Sequence, residues 1–258
     1  MRDRHLSKLD YLRENRPSKV SALTSIVKRI ADPVHKFVGL TQAELDIIST
    51  PTFQRLRNVK QLGLVSLVFP SADYSRFSHS LGVCHVTNRL FDAIARETSS
   101  VEKLRPLYRM AALLHDIGHY PFSHTMEKVL RDLEDDEIMD EEAEEKDFLY
   151  HEDVGELVLE CSPDIAQVLK QYDLDPEEIS NIFRRQSVDP EHQALLSLVS
   201  SDLDADRLDY LLRNSHHSGL PYGQIDIDYL ISQATLFSVS EEVKGFGYKR
   251  QALRTVDH

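Results

Sequence analysis

The segment from Ala112 to His124 restricts this chain more than any other. It begins at the end of an apolar, helix-forming run, Ala112-Leu-Leu114, and passes without a break into His115-Asp116-Ile-Gly118-His119-Tyr-Pro121-Phe-Ser-His124. Such a run has to be buried, and a charge carried into the interior is costly unless something compensates it. A metal ion is one such partner. At about 100° per residue, His115, Asp116 and His119 fall near 0°, 100° and 40° on a helical wheel, in a sector that can face one ion. Gly118 and Pro121 are helix-ending residues, so His119 belongs either to the last turn or to the loop after it. Taken alone, the dipeptide reads more readily as a core His-Asp hydrogen bond beside a turn. Further ligands elsewhere in the chain would decide between the two.

The 258 residues, 41% of them hydrophobic, can fill one large core, and the nine glycines form no linker that would divide it. Cys84 and Cys161 are far apart and make no CxxC, which points to reduced thiols and excludes a thiolate zinc cluster. Met1 to Arg16 is charged throughout, and no apolar run approaches the roughly 20 residues of a membrane span. A soluble, cytoplasmic protein without a membrane partner is expected. The net charge of −13 is concentrated in Asp132 to Asp147, where eleven acids and one lysine read as a solvated loop. Gln54-Arg55-Leu-Arg57-Asn-Val-Lys60 and Arg76 form a modest basic cluster, suited to a small anion and not to a long nucleic-acid duplex.

In chain order, residues 1–31 read as a helical extension and 32–258 as one domain. Asp32 to Leu40 suits a short extended pair. Thr41 and Glu44 form a capping box for a helix over Gln42–Ser49. Thr50-Pro51 starts another helix that Gly63 ends. Leu64 to Pro70 reads as a short strand or loop. A helix follows from Arg76 to about Glu97, carrying His79 near its N-terminus, where the dipole favours the neutral imidazole a metal needs. Helices are expected from Pro106 to His115-Asp116, from Ser123 to Leu133, from Tyr150 to Cys161, and over Pro163–Tyr172 and Pro176–Gln186, after which Glu191 to Ser200 leads towards the next motif. The last strong motif runs from Ser201 to His217. With Asp206 at about 0°, Tyr210 and Asn214 fall near 40° and 80°, opposite a leucine-rich core face. An ordinary solvated face is one reading of that polar side, and a cleft is the other. Tyr248 to Val256 reads as a helix start.

Two imidazoles and two carboxylates, His79, His115, Asp116 and Asp206, suit Mn, Fe, Co, Ni, Zn or Mg with open coordination positions. Here the motifs Arg76-Phe-Ser-His79-Ser-Leu-Gly, His115-Asp116-Ile-Gly-His119-Tyr-Pro-Phe-Ser-His124 and Asp204-Ala-Asp206-Arg207-Leu-Asp209-Tyr210 resemble the H…HD…D signature of HD-domain phosphohydrolases. Thr50-Pro51-Thr-Phe53-Gln-Arg-Leu-Arg57-Asn-Val-Lys60-Gln61-Leu62-Gly63 is similar to the deoxynucleoside triphosphate triphosphohydrolase branch. The resemblance covers roughly Asp32 to Tyr229. It implies an all-α HD-domain helical bundle with a short β-hairpin near the N-terminus, a divalent metal on His79, His115, Asp116 and Asp206, a nucleotide substrate and a homo-oligomer. It implies that His119, Glu127, His151 and Glu152 are catalytic neighbours and that Gln61, Leu62, Arg76, His124, Arg207 and Tyr210 line the nucleotide pocket. Asn214 stands where relatives often carry an aspartate against the sugar 3′-hydroxyl. Members of the family usually continue past the position of His258, so the resemblance implies a domain cut short on its C-terminal side.

The chemistry such residues suit is hydrolysis at the α-phosphorus of a dNTP, with the nucleoside 5′-oxygen leaving as inorganic triphosphate is released. His151 or His119, held by Glu127 or Glu152, would donate a proton to that oxygen. Arg76, Arg207 and Arg213 would offset the triphosphate charge. Two other readings stand beside it: a nucleotidase or phosphodiesterase acting on cyclic or oligomeric nucleotides, and a nucleotide-binding regulator without turnover. The cyclic-dinucleotide branch would carry lysine where His119 stands. Gln54 and Arg57 resemble regulatory-nucleotide positions of some relatives, but Ser49 replaces the acid those relatives have.

Overall fold

The computed structural model of the chain describes residues 18–135, 150–186, 190–199, 203–238 and 244–249. Helix α1 spans Lys19–Thr24, and the strands β1, Lys28–Asp32, and β2, Lys36–Leu40, form an antiparallel hairpin. Next come α2, Gln42–Ile48, α3, Pro51–Gln54, α4, Arg76–Ile94, α5, Arg105–Leu114, and α6, His124–Asp135. They are followed by α7, His151–Cys161, α8, Pro163–Gln171, α9, Pro176–Phe183, α10, Pro190–Gln193, α11, Ala205–Ser218, and α12, Ile227–Ser232. A second antiparallel hairpin, β3 Ala234–Ser238 with β4 Lys244–Tyr248, ends the described chain.

Helix α4 is the axis. Ser75 accepts from the Ser78 amide to cap it, and Val83, Val86, Leu90, Phe91 and Ile94 bury a face at helical spacing. It packs against both α5 and α11, so motifs far apart in sequence meet across it. Every residue of α5 from Leu107 to Leu114 is buried, which is where the apolar run before His115 had to go. Truncating a core aromatic such as Phe91 to alanine would cost about 3–5 kcal/mol.

The Thr41–Glu44 capping box forms as its spacing predicts. Glu44 also receives a buried bidentate pair from Arg109, at 2.6 and 2.7 Å, and Arg109 donates to the Gly39 carbonyl at 3.0 Å. The cap therefore welds the hairpin and α2 to α5. Removing one partner would leave a buried charge uncompensated, a cost of about 3–5 kcal/mol.

Several boundaries differ from those expected. The extended pair begins at Lys28, so the helical extension over 1–31 does not hold at its C-terminal end: among described residues, only α1 is helical there. Ile30 pairs with Val38 and Asp32 with Lys36, leaving Pro33 to His35 as the turn. Residues 1–17 lie outside the described residues. The helix begun by Pro51 gives way to a 3₁₀ turn over Arg55–Asn58 and stops short of Gly63. The Arg76 amide takes the Val59 carbonyl and the Gln61 amide takes the Tyr74 carbonyl, and these long-range bonds replace helical ones. No strand forms over Leu64 to Pro70, because Gly63, at φ 53°, turns the chain into a 3₁₀ segment over Gly63–Leu67. Of the acidic stretch, Asp132 to Asp135 closes α6, and 136–149 lies outside the described residues. Between α9 and α11 the described chain forms α10 and a 3₁₀ turn over Leu196–Leu198. The second hairpin has no counterpart in the expectations, and Tyr248 ends a strand instead of starting a helix.

Candidate functional site

His79 lies in the first turn of α4, His115 and Asp116 directly follow α5, and Asp206 lies in the first turn of α11. Packing of α4 between the other two brings them together: ligand atoms of His79, His115 and Asp206 lie within 4.8 Å of one another. His79 Nε2 is 2.8 Å from Asp206 Oδ1 and 3.8 Å from Asp116 Oδ2, and His115 Nε2 is 3.4 Å from Asp116 Oδ1. Each imidazole has its other nitrogen committed. His79 Nδ1 donates to Asp209 Oδ2 at 2.7 Å, and His115 Nδ1 donates to the Ala112 carbonyl at 2.8 Å. Both acceptors lack a proton, so both Nε2 atoms are directed at the cluster.

His115 Nε2 is buried and has no hydrogen-bond partner. Burial opposes a charge on His79, yet the bonds from Asp206 and Asp209 outweigh it and raise its pKa to about 10. Positive charge is thus stabilised where the carboxylates converge. Burial also works against ionisation of Asp116, but Arg76 and the neighbouring imidazoles hold its carboxyl well below the usual range. An orphaned buried nitrogen, two oriented imidazoles and two ionised carboxylates fit a divalent cation.

A second histidine group adjoins the first. His119 lies past the end of α5, its ring stacked on His151 at 3.7 Å and its Nε2 3.2 Å from Asp116 Oδ1, off the line of a hydrogen bond. Glu127, in the first turn of α6, accepts from His124 Nδ1 at 2.7 Å and from His151 Nδ1 at 2.8 Å. Glu152 stands 3.2 Å from His151 Nδ1. Environments split the two stacked rings. Desolvation drives His119 down to about 3, whereas for His151 it is outweighed by the Glu127 bond and nearby carboxylates, which raise its pKa. Glu127 is also opposed by desolvation, and its two histidine partners more than offset it and lower its pKa. The close approach depends on Gly118: a Cβ there would lie 2.1 Å from the His151 carbonyl and 2.3 Å from the Gly155 amide nitrogen.

Arg76 is fully buried, with Nε on Ser123 Oγ at 2.8 Å and Nη1 on Asp116 Oδ2 at 2.6 Å. Its Nη2 has no partner, nor has the buried Gln61 Oε1. Gln61 and Leu62 line a cleft of about 180 Å³ with Phe122, Ser123 and His124, so the histidine group and the Gln61 loop share a border. The basic cluster around Arg55 is used otherwise. Arg55 donates to the Ile117 and His119 carbonyls, holding the turn after the His-Asp pair, and Arg57 lies 3.6 Å over the Phe77 ring.

On α11, Arg207 and Tyr210 are half-buried and hydrogen-bonded to each other, and Asn214 Oδ1 accepts from the Tyr74 hydroxyl at 2.6 Å. Arg213 is not placed to meet a triphosphate. It is 0% exposed and bound to Asp209 and Asp32, so the Asp209–Arg213 edge of this helix faces the interior. Sequence reasoning passed over Asp209 and His35. The Asp209–Arg213 spacing of i,i+4, acid first, signals a helical ion pair; nothing local marks His35, whose Nε2 reaches Asp209 Oδ1 at 2.6 Å across 174 residues.

Over residues 76–214 the chain matches the HD domain family. It is 35% identical over 207 residues to the uncharacterized protein YwfO of Bacillus subtilis, covering 79% of this chain and 43% of that one. It is 32% identical over 246 residues to human deoxynucleoside triphosphate triphosphohydrolase SAMHD1, covering 84% of this chain and 37% of that one. The crystal structure of a hypothetical protein from Aquifex aeolicus is similar at a TM-score of 0.71 and 36% identity, over 89% of this chain and 56% of that chain. The chain thus spans less than half the length of these two curated relatives.

Proposed function

This chain belongs to the HD-domain family, and we propose that it hydrolyses deoxynucleoside triphosphates to deoxynucleoside and inorganic triphosphate with a divalent cation on His79, His115, Asp116 and Asp206. One observation carries the reading. Buried side-chain atoms that lack hydrogen-bond partners belong to Arg76, His115 and His119, which all approach Asp116 at 2.6–3.4 Å, and to Gln61, which lines the neighbouring cleft beside Ser123 and His124. Each unsatisfied buried group costs about 1–3 kcal/mol, so a site that collects them is built for a polar, charged ligand. The relative named as a deoxynucleoside triphosphate triphosphohydrolase supports that ligand's class.

When bound, the cation supplies Lewis acidity that lowers the pKa of water and polarises a phosphoryl oxygen. The free Nη2 of Arg76, fixed by Ser123 and Asp116, meets phosphate oxygens without having to reorganise. Of the two stacked imidazoles, His151 is the proton donor to the departing 5′-oxygen. Its Nδ1 is held by Glu127, which favours the protonated ring near neutral pH, whereas His119 stays neutral beside it. Glu152 backs the same nitrogen. Gln61, Leu62 and His124 border the cleft that would receive the nucleotide, with Arg207, Tyr210 and Asn214 along α11.

The direct test loads the chain with Mn²⁺, and separately Mg²⁺, and incubates it with each of the four dNTPs, resolving products by ion exchange. Deoxynucleoside plus triphosphate is the expected result. Release of monophosphate, or cleavage of a cyclic or oligonucleotide substrate with dNTPs untouched, overturns it in favour of another phosphohydrolase activity. No helix among the described residues is long and apolar enough to cross a membrane.

A further inference from the structure

Behind His79 the structure continues into a buried network that the proposed reaction does not use. Asp32 opens the β1–β2 turn, its Oδ1 accepting from the Val34 and His35 amides at 2.9 Å each. This Asx turn aims His35 inward, where Nε2 donates to Asp209 Oδ1 at 2.6 Å with 2% of its side chain exposed. Asp32 Oδ2 meanwhile accepts from Arg213 Nη1 at 3.0 Å. Arg213 returns to Asp209 through Nε and Nη2, both at 2.9 Å. The Asp209 carboxylate therefore accepts four hydrogen bonds: from His35 and Arg213 on Oδ1, and from His79 and Arg213 on Oδ2. A carboxylate offers about four lone-pair sites, so this one is saturated and cannot rotate. Room for it is made by Gly82, where a Cβ would lie 1.8 Å from Asp209 Oδ1.

We propose that the N-terminal hairpin is an arm of the metal centre: through His35 and Asp32 it locks Asp209, which fixes the ring orientation and tautomer of His79. Asp209 and His35 are thus positioning residues for the cation, acting through His79 without touching it. Carboxylate partners of this kind hold a ligating imidazole with its free nitrogen toward the metal, and losing one costs about 10- to 100-fold in metal affinity. The inference rests on the metal-centre reading of His79.

Its test is Mn²⁺ affinity of the full chain, measured by competition with a chelator, alongside thermal melts of each metal-free protein. Asp209→Asn is expected to raise the Mn²⁺ Kd about 10- to 100-fold, and His35→Ala about 10-fold. His35→Gln, whose side-chain amide puts a donor near the position of Nε2, is expected to return the Kd toward the parent value. Phe37→Ala, in the same hairpin but 60% exposed, is expected to leave it unchanged. If Asp209→Asn does not fold, the two His35 variants decide alone. Parent and His35→Ala proteins that fold and bind Mn²⁺ equally overturn the inference while leaving the centre intact. A parent chain that binds no Mn²⁺ overturns the metal-centre reading and the inference with it. Tight Mn²⁺ binding without dNTP turnover strikes only the proposed activity.

Discussion

Two histidine groups lie side by side in this molecule and are organised differently. In the first, His79 and His115 give their Nδ1 protons to a buried carboxylate and a helix carbonyl, and both Nε2 atoms point at shared acids. In the second, His124 and His151 give theirs to one glutamate, Glu127, and the side chain of His124 is 67% exposed. Residue type does not separate the groups. The difference is what holds Nδ1 and how fully the surroundings are closed. Rigid, fully buried backing suits cation binding, whereas a glutamate that charges an adjacent ring suits proton transfer.

The sharpest way to break this comparison is to remove one imidazole from each group. His115→Ala is expected to abolish bound Mn²⁺ and turnover together, read as metal content and product formation. A fully active, metal-loaded variant would sink the assignment of the first group. His151→Ala is expected to keep its metal while kcat falls about 10²- to 10⁴-fold. Loss of metal in that variant would merge the two groups into one.

A smaller and more diagnostic effect concerns pH. His151 has a raised pKa, so its protonated, donating form persists below that pKa and is lost as pH rises through it. Activity is therefore expected to fall on the alkaline side. Glu127→Gln removes a main contribution opposing desolvation, so the alkaline limb of the kcat profile should move to lower pH. An unmoved limb would show that a different group supplies the proton.

The order and spacing of His79, His115-Asp116 and Asp206 pointed to the first group in the sequence, because a short motif carried each of these residues. The hairpin, the Thr41–Glu44 cap and the course of α4, α5 and α11 were legible for a similar reason. Capping residues and apolar periodicity act within a few positions of one another. The 3₁₀ turn over Gly63–Leu67 and the β3–β4 pair were not, since their strand or turn character comes from partners outside the segment.

Local order along the chain thus determined which residues are ionisable, which runs must be buried and where helices begin. Only the tertiary structure decided what the charges are for. It turned Arg55 and Arg213 from apparent anion binders into internal supports, and it brought His35 to Asp209 across the whole domain. The physical reason is desolvation. A buried charge or imidazole has to find its partner wherever packing supplies one, and that partner can lie at any distance along the chain.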